Sequence, residues 1–312
     1  MKRVTFLIAA HNEEMCIGKV LDNLAVIKKD FPEIEVIVGN DGSTDNTENI
    51  VKRYKFVRHI LLNERKGKNV VINRIIKKAN GDIIIVHDAD WIFKVNDKKD
   101  FERMISWFED EKFGGIAESF PIEYETKCSN NNLAYLGNMW GTYFWIEFQK
   151  EKYTYKYGDM KYIDNTKNGF PFLVNIFRKE LYTENITLGD DFERTLDIMR
   201  RGYKIAVLDD PKMPRMHAIL KDVKIKDIIK QKKRTEKART QVFNKYGIKI
   251  NFLNFYLPLF AYYLRKIWIA RSIKVMIALK FWIAIFIYSS LVSKLKNKNL
   301  TTERGWLMRA ER

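Results

Sequence analysis

Short strand-like runs, each closed by a polar or acidic loop and separated by helix-length segments, constrain this chain more than any other feature. Residues 4–10 lead into His11-Asn12-Glu13-Glu14, and residues 35–39 into Asn40-Asp41-Gly42-Ser43-Thr44-Asp45. A third run, 58–63, precedes a loop containing Gly67, and a fourth, 82–87, ends at Asp88-Ala89-Asp90. Apolar runs of this length without polar alternation read as strands buried on both faces. Between them, 15–28, 47–54 and 69–79 read as helices, the second capped by Ser43 or Asp45. Strand–helix alternation at this spacing predicts an α/β fold: a doubly wound, mostly parallel sheet with helices on both faces. Ligands of such sheets sit outside the carboxyl ends of the strands. The Asp-rich loops should therefore converge on one crevice.

Farther on, 113–177 is mixed and rich in aromatics and is expected to build the acceptor side. A helix over 188–201 opens with Gly189-Asp190-Asp191, a strand covers 204–208, and a basic helix covers 223–246. Two apolar segments follow, 252–264 and 268–292. The expected organisation is a catalytic unit over 1–220, the basic helix over 221–250, and a membrane-associating helical tail over 251–312.

The net charge of +17 is confined to one end. From residue 215 onward there are 23 Lys+Arg against 5 Asp+Glu, leaving 33 against 34 before it. A basic block interleaved with apolar runs favours a membrane surface with anionic lipids over nucleic acid. Within 275–292 only Lys280 is charged, close to the ~20 residues that span a bilayer. Cations at both ends of that run favour helices lying in the interface, with Trp268, Trp282 and Tyr288 at headgroup level, over a single span. Two distant cysteines, Cys16 and Cys128, make neither a disulfide framework nor a zinc site. With no signal-peptide pattern at the start, the expected place is the cytoplasmic face of the cell membrane.

Three acidic sites carry possible chemistry. Asp88-x-Asp90 can hold a hard divalent cation through oxygen, or is a polar turn. Asp41, beside Gly42, can accept from the N–H edge of a base, or belongs to a turn and helix cap. Asp190-Asp191 can take a proton from an attacking hydroxyl, or supplies favourable charge at a helix N-terminus. His217 is either a metal ligand, since neutral imidazole suits Mn²⁺, or a loop residue closing a strand end.

Taken in order, strand–His-Asn-Glu-Glu, strand–Asn-Asp-Gly-Ser-Thr-Asp, strand–Asp-Ala-Asp and a later Gly-Asp-Asp resemble the family 2 glycosyltransferases and their GT-A fold. The resemblance covers about residues 3–240. It implies an inverting transfer from a nucleotide diphosphosugar, with Mn²⁺ or Mg²⁺, to an acceptor hydroxyl or phosphate. Together with the basic apolar tail it suggests a lipid-linked acceptor. Carried over residue by residue, Asp41 looks like the nucleobase carboxylate, Asp88 the carboxylate near ribose and diphosphate, Asp90 the direct metal ligand, and Asp191 the base. Ala10 and Glu13 match the nucleotide-facing loop, and Lys68 the segment approaching the nucleotide. Gln231-Lys232-Lys233-Arg234 is similar to Gln-x-x-Arg, which in the family lies over the donor diphosphate. Departures are Ala10 for Pro, Asn40 for Asp, Asp190 for Glu, and Thr235 where many members have Trp. The last weighs against a processive polysaccharide synthase, the alternative transferase reading. A nucleic-acid-binding protein and a non-catalytic membrane scaffold are the alternatives of another class.

Overall fold

The computed structural model describes residues 2–118, 123–124, 133–158, 160–163, 173–219, 224–249, 252–270 and 272–295. The first third builds four strands with helices between them: β1 (Val4–Ala10), α1 (Ile17–Asp30), β2 (Glu35–Asp41), α2 (Thr47–Lys52), β3 (Val57–Leu62), α3 (Lys68–Ile75) and β4 (Ile83–Asp88). Every residue of β1 is buried, as its apolar run, interrupted only by Thr5, requires. Its alternate side chains feed two cores. Phe6, Ile8 and Ala10 join the α1 residues Val20, Leu21 and Leu24. Leu7 and Ala9 join the α3 residues Val71, Ile72 and Ile75 on the other face.

The chain continues through β5 (Trp91–Lys94), α4 (Lys98–Ser106), β6 (Phe113–Glu118), β7 (Glu123–Tyr124), α5 (Leu133–Tyr153), β8 (Thr154–Tyr157), β9 (Met160–Ile163) and β10 (Val174–Arg178). Then follow α6 (Asp190–Arg200), β11 (Lys204–Leu208), β12 (Arg215–Ala218), α7 (Ile225–Tyr246), α8 (Phe252–Lys266) and α9 (Ile273–Leu295). The main sheet has the order β3-β2-β1-β4-β10-β6-β11-β9-β8, and a small sheet the order β5-β12-β7. β3, β2, β1 and β4 are parallel, as the strand–helix alternation predicts. Past β4 the sheet is mixed: β10 runs antiparallel to both β4 and β6. No simple strand–helix–strand crossover links β4 to β10. The intervening chain holds α5 and the β8–β9 pair, and it re-enters the sheet from the opposite end.

The 113–177 stretch contains a 21-residue helix, α5, that its aromatic content conceals. Trp, Tyr and Phe favour strands, and α5 shows no single apolar stripe because it is enclosed from several sides. Phe144 and Phe148 meet Tyr262, Tyr263, Leu279 and Trp282 in a third core formed by α5, α7, α8 and α9. Two glycines open a slot for α9: a Cβ on Gly137 would stand 2.7 Å from the Ala278 carbonyl, and one on Gly141 2.5 Å from the Trp282 ring. Trp282 is therefore buried, 4% exposed, rather than at headgroup level as expected. Trp268 and Tyr288 are exposed. No described helix is long and apolar enough to cross a membrane.

His87, buried in β4, packs edge-on against Phe6 and Phe93 at 6.1 and 6.2 Å. Burial pulls its pKa down to about 4 against a weaker upward pull from Asp88. The unfolded chain takes up this proton below about 6.5 and the folded chain does not, so stability is lost as pH falls from 6.5 toward 4. The loss should be roughly 3 kcal/mol in all. His87→Leu should flatten that acid limb. Urea midpoints of the metal-free chain at pH 7 and 4.5 measure it; an unchanged difference between the two would remove His87 as its source.

Candidate active site

The loops after β1, β2 and β3 are laced together at the carboxyl edge of the sheet. His11 Nδ1 donates to the Asp41 carbonyl at 2.7 Å. Asn12, held at φ 54°, donates its backbone N–H to Ser43 Oγ (3.1 Å) and accepts from Thr44 N (2.8 Å). Glu13 N donates to Thr47 Oγ1 at 2.8 Å. Gly42, at φ 60°, lies so close to the third loop that a Cβ would stand 2.8 Å from Arg65 N. Only glycine reconciles that approach with a left-handed backbone.

Asp41 is wholly buried. Its two carboxylate oxygens accept from Lys66 N (2.7 Å) and Gly67 N (2.8 Å). Expected to meet a nucleobase, it instead presents no surface to the crevice and sets the path of the 64–67 turn. That turn delivers Lys68 at the start of α3.

Lys68 joins two acidic loops that lie far apart in sequence. Its Nζ lies 2.9 Å from Asp88 Oδ1 and 3.6 Å from Asp190 Oδ2. Arg194, one turn into α6 and 2% exposed, approaches the same Asp190 oxygen at 3.5 Å. These cations divide the Asp190–Asp191 pair. Burial pushes the Asp190 carboxyl up, but Lys68 and Arg194 outweigh it and leave it below its ordinary value. Arg234 on α7 adds a weaker pull in the same direction. Asp191 goes the other way: burial raises it, and the Asp190 charge raises it further. Two carboxyls pushed apart in this way suit a fixed anion beside a proton acceptor.

The turn bearing this pair is braced from two sides. Asn69 donates to the Thr187 carbonyl and Asn73 to that of Asn185 (3.1 Å), both from one face of α3. From α7, Gln241 accepts from Leu188 N at 2.9 Å. Lys245 donates at 2.5 Å to Glu193, whose carboxylate also accepts from Thr187 N at 2.9 Å. Sequence reasoning missed Asn69, Asn73, Arg194 and Glu193. The one legible trace was Asn69 and Asn73 at i, i+4 on the apolar side of a helix.

Asp90 is buried at the turn between β4 and β5. β12 runs antiparallel to β5 with His217 opposite Ile92, and Ile219 N donates to the Asp90 carbonyl at 2.9 Å. Strand alternation therefore puts His217 and Asp90 on one face of the small sheet. His217 Nε2 accepts from Arg215 Nε at 3.3 Å, so that nitrogen is engaged within the chain. Among the described residues no three His, Cys, Asp or Glu side chains stand close enough to hold a metal by themselves. Ala10 is enclosed in the α1-side core and offers the crevice no side chain. Glu13 is buried in the loop ahead of α1, its carbonyl accepting from Ile17 N at 2.8 Å. Gln231 is exposed one turn before Arg234.

Comparison with known proteins covers this architecture. The probable glycosyltransferase YdaM of Bacillus subtilis is 32% identical over 130 residues, 39% of this chain and 30% of that protein. Poly-beta-1,6-N-acetyl-D-glucosamine synthase of Staphylococcus aureus (strain COL) is 31% identical over 119 residues, 37% of this chain and 28% of that one. The match thus spans less than a third of the length of these curated relatives. The mannosyltransferase PcManGT from Pyrobaculum calidifontis, solved in complex with GDP-Man and Mn2+, shares the fold at 16% identity. Its TM-score is 0.59 over 96% of this chain and 88% of that chain. The family model for glycosyl transferase family 2 matches residues 5–179, from β1 past β10 and across Asp41, Asp88 and Asp90. With more than half its length matched and the GT-A sheet in place, the chain belongs to glycosyl transferase family 2.

Proposed function

We propose that this chain transfers a sugar from a nucleotide diphosphosugar to an acceptor hydroxyl or phosphate, with inversion, in a single displacement. The observation that carries this reading is the Lys68 bridge, which gathers Asp88 and Asp190 around one ammonium beside the raised Asp191. The acceptor oxygen attacks the anomeric carbon as the bond to the diphosphate breaks. Where the acceptor is a hydroxyl, Asp191 takes its proton; with either acceptor the diphosphate leaves with the bonding pair. Lys68 and Arg234 are placed to meet the charge that develops on the diphosphate. Asp41 shapes the nucleoside end through the 64–67 turn, while Ala10 and Glu13 contribute through their backbone.

Asp88 and Asp90, with His217 on the Asp90 face, fit a divalent cation, Mn²⁺ or Mg²⁺. No three such side chains among the described residues gather closely enough to hold an ion unaided, so its remaining ligands would have to come from a diphosphate. Bound there, it would neutralise the leaving group as a Lewis acid. PcManGT, of the same fold, was solved with GDP-Man and Mn2+. A thermal-shift series with UDP- and GDP-sugars tests the reading. At a hundredfold excess over Kd, one pair of nucleotide and metal should add about 2.7 kcal/mol, or roughly 5–10 °C in Tm. Asp90→Asn should remove the metal-dependent part. A Tm unmoved by every pair would end the proposal.

The acceptor is proposed to be lipid-linked, a polyprenyl phosphate or its glycan, presented at the cytoplasmic face of the cell membrane. Supporting this, α8, α9 and the turn between them expose Leu264, Trp268, Ile273, Ile277 and Phe281 beside Arg265 and Lys280. An apolar face with a cationic fringe suits an anionic interface. The chain should float with phosphatidylglycerol vesicles and less with phosphatidylcholine, and Ile277→Asp with Phe281→Asp should abolish flotation. Wild-type chain that stays in the dense fraction with both lipids would remove the membrane part. The 31% identity to a polysaccharide synthase favours a second reading, processive synthesis. Thr235 after Arg234 speaks for single transfer, and product length on a defined acceptor decides.

A further inference from the structure

Helix α7 has two working faces. At 3.6 residues per turn, Gln231, Arg234, Ala238, Gln241, Val242 and Lys245 share one side. Ile228, Lys232, Glu236, Arg239 and Phe243 share another, roughly a third of a turn away. The first side meets the acidic turn. Arg234 acts on Asp190, Gln241 accepts from Leu188 N, and a Cβ on Gly189 would stand 3.3 Å from Val242 and 3.4 Å from Ala238. The second side enters the helical bundle. Ile228 is buried there, Arg239 lies 5.5 Å over the Trp145 ring, and Lys232 Nζ lies 4.7 Å over the Trp282 ring. Next to it, Lys233 Nζ lies 5.1 Å over Tyr288.

Trp282 has little freedom of its own. Its ring fills the slot left by Gly141, and Phe286 stacks on it at 5.7 Å. Lys232 thus rests on a fixed aromatic surface two residues before Arg234. Burial lowers Lys232 to about 8, Arg239 adding to the effect and Glu236 opposing it, so the side chain is still largely cationic at pH 7. A partly desolvated cation seated on an indole face is attracted to the ring and favours one rotation of the helix over another.

We propose that Trp282 is a positioning residue for Arg234: by holding Lys232 against α9, it fixes the rotation of α7 and so the direction from which Arg234 meets the donor diphosphate. Rotating α7 by about 20° would move a side-chain tip about 6 Å from the axis by about 2 Å. Misplacement of that size is costly for a charge-stabilising group. The consequence is that the tail helix α9, which exposes its apolar face on the opposite side, is mechanically part of the active site.

The proposal rests on the site reading above, and its test separates the two. Binding of UDP and GDP in the presence of Mn²⁺ is measured by calorimetry for the wild type, Trp282→Phe, Trp282→Leu, Lys232→Met and the Trp282→Leu/Lys232→Met pair. Leu259→Ala, in α8 of the same bundle core, serves as the control for lost stability alone. Trp282→Leu and Lys232→Met should each weaken the preferred nucleotide 5- to 20-fold. The pair should be no weaker than the worse single variant, and Trp282→Phe should stay within twofold. Leu259→Ala should lower Tm without changing affinity. Should Trp282→Leu not fold, Lys232→Met against Lys232→Arg carries the comparison, Arg restoring affinity. Unchanged affinity in Lys232→Met, additive losses in the pair, or an equal loss in Leu259→Ala would each overturn the role of Trp282. A wild-type chain that binds neither nucleotide would instead overturn the site reading and this proposal with it.

Discussion

Replacing Asp191 with Asn should lower transfer 10²- to 10⁴-fold, the range ascribed to a positioned general base, while leaving nucleotide affinity within a factor of about two. The substitution is nearly isosteric. Asp191 Oδ1 accepts from Phe192 N at 2.8 Å, and an amide oxygen can take its place. The carbonyl that anchors Thr195 Oγ1 at 2.7 Å is backbone and untouched. What disappears is the capacity to take a proton. A base works only when deprotonated, so wild-type activity should fall as pH drops through the Asp191 pKa. Burial and the Asp190 charge place that limb above the ordinary carboxylate range of about 4. The measurement is a pH profile of kcat/KM beside a nucleotide titration at pH 7. Full activity in Asp191→Asn would remove it as the base. Activity and affinity lost together would point to a structural part instead.

The sheet was readable where the chemistry of burial left no choice. β1 and β4 are dominated by apolar runs because both faces are covered, and β11 was placed at 204–208 for the same reason. α5 was hidden because its surroundings, not its own pattern, make it a helix. It is enclosed by α7, α8 and α9, and its aromatic residues read equally well as strand. β5 and β12, four residues each, are too short to announce themselves, yet they set His217 against the Asp90 turn. The acidic loops could be named from sequence because each follows a recognisable strand or opens a recognisable helix. Which way a carboxylate faces could not. Asp41 and Asp88 both stand at strand ends, yet one turns inward to backbone N–H groups and the other outward to Lys68. Trp282 was read as lying at headgroup level because the slot that buries it belongs to Gly137 and Gly141, in a helix the pattern did not reveal.

Glu193 stands two residues after Asp191 on the same helical turn, and changing it should unfold the site rather than silence it. In sequence the three acids of this turn look alike, each a favourable charge at a helix N-terminus. In the fold Glu193 is completely buried. Its carboxylate accepts from Ile186 N at 3.2 Å, Thr187 N at 2.9 Å, Thr187 Oγ1 at 2.7 Å and Lys245 Nζ at 2.5 Å. All of these are donors. Glu193→Gln puts an NH₂ group where an acceptor is needed, so at least one buried N–H or hydroxyl loses its partner away from water, while the exposed Lys245 turns back to solvent. Leaving a buried donor without its partner costs about 1–3 kcal/mol. That corresponds to a fall of roughly 2–12 °C in Tm for a domain of this size class. Because the 186–188 segment also hangs on Asn69 and Gln241, the loss should stay local enough for folded protein to be isolated at low temperature. Denaturant midpoints and activity per folded molecule, measured together for Glu193→Gln and Asp191→Asn, separate the two acids. The first should lose stability and keep its pH limb on whatever activity survives, and the second should lose activity and keep its midpoint. Equal midpoints in the two variants would mean that Glu193 does not brace the turn, and Asp191 would then be held in place by α3 and Gln241 alone.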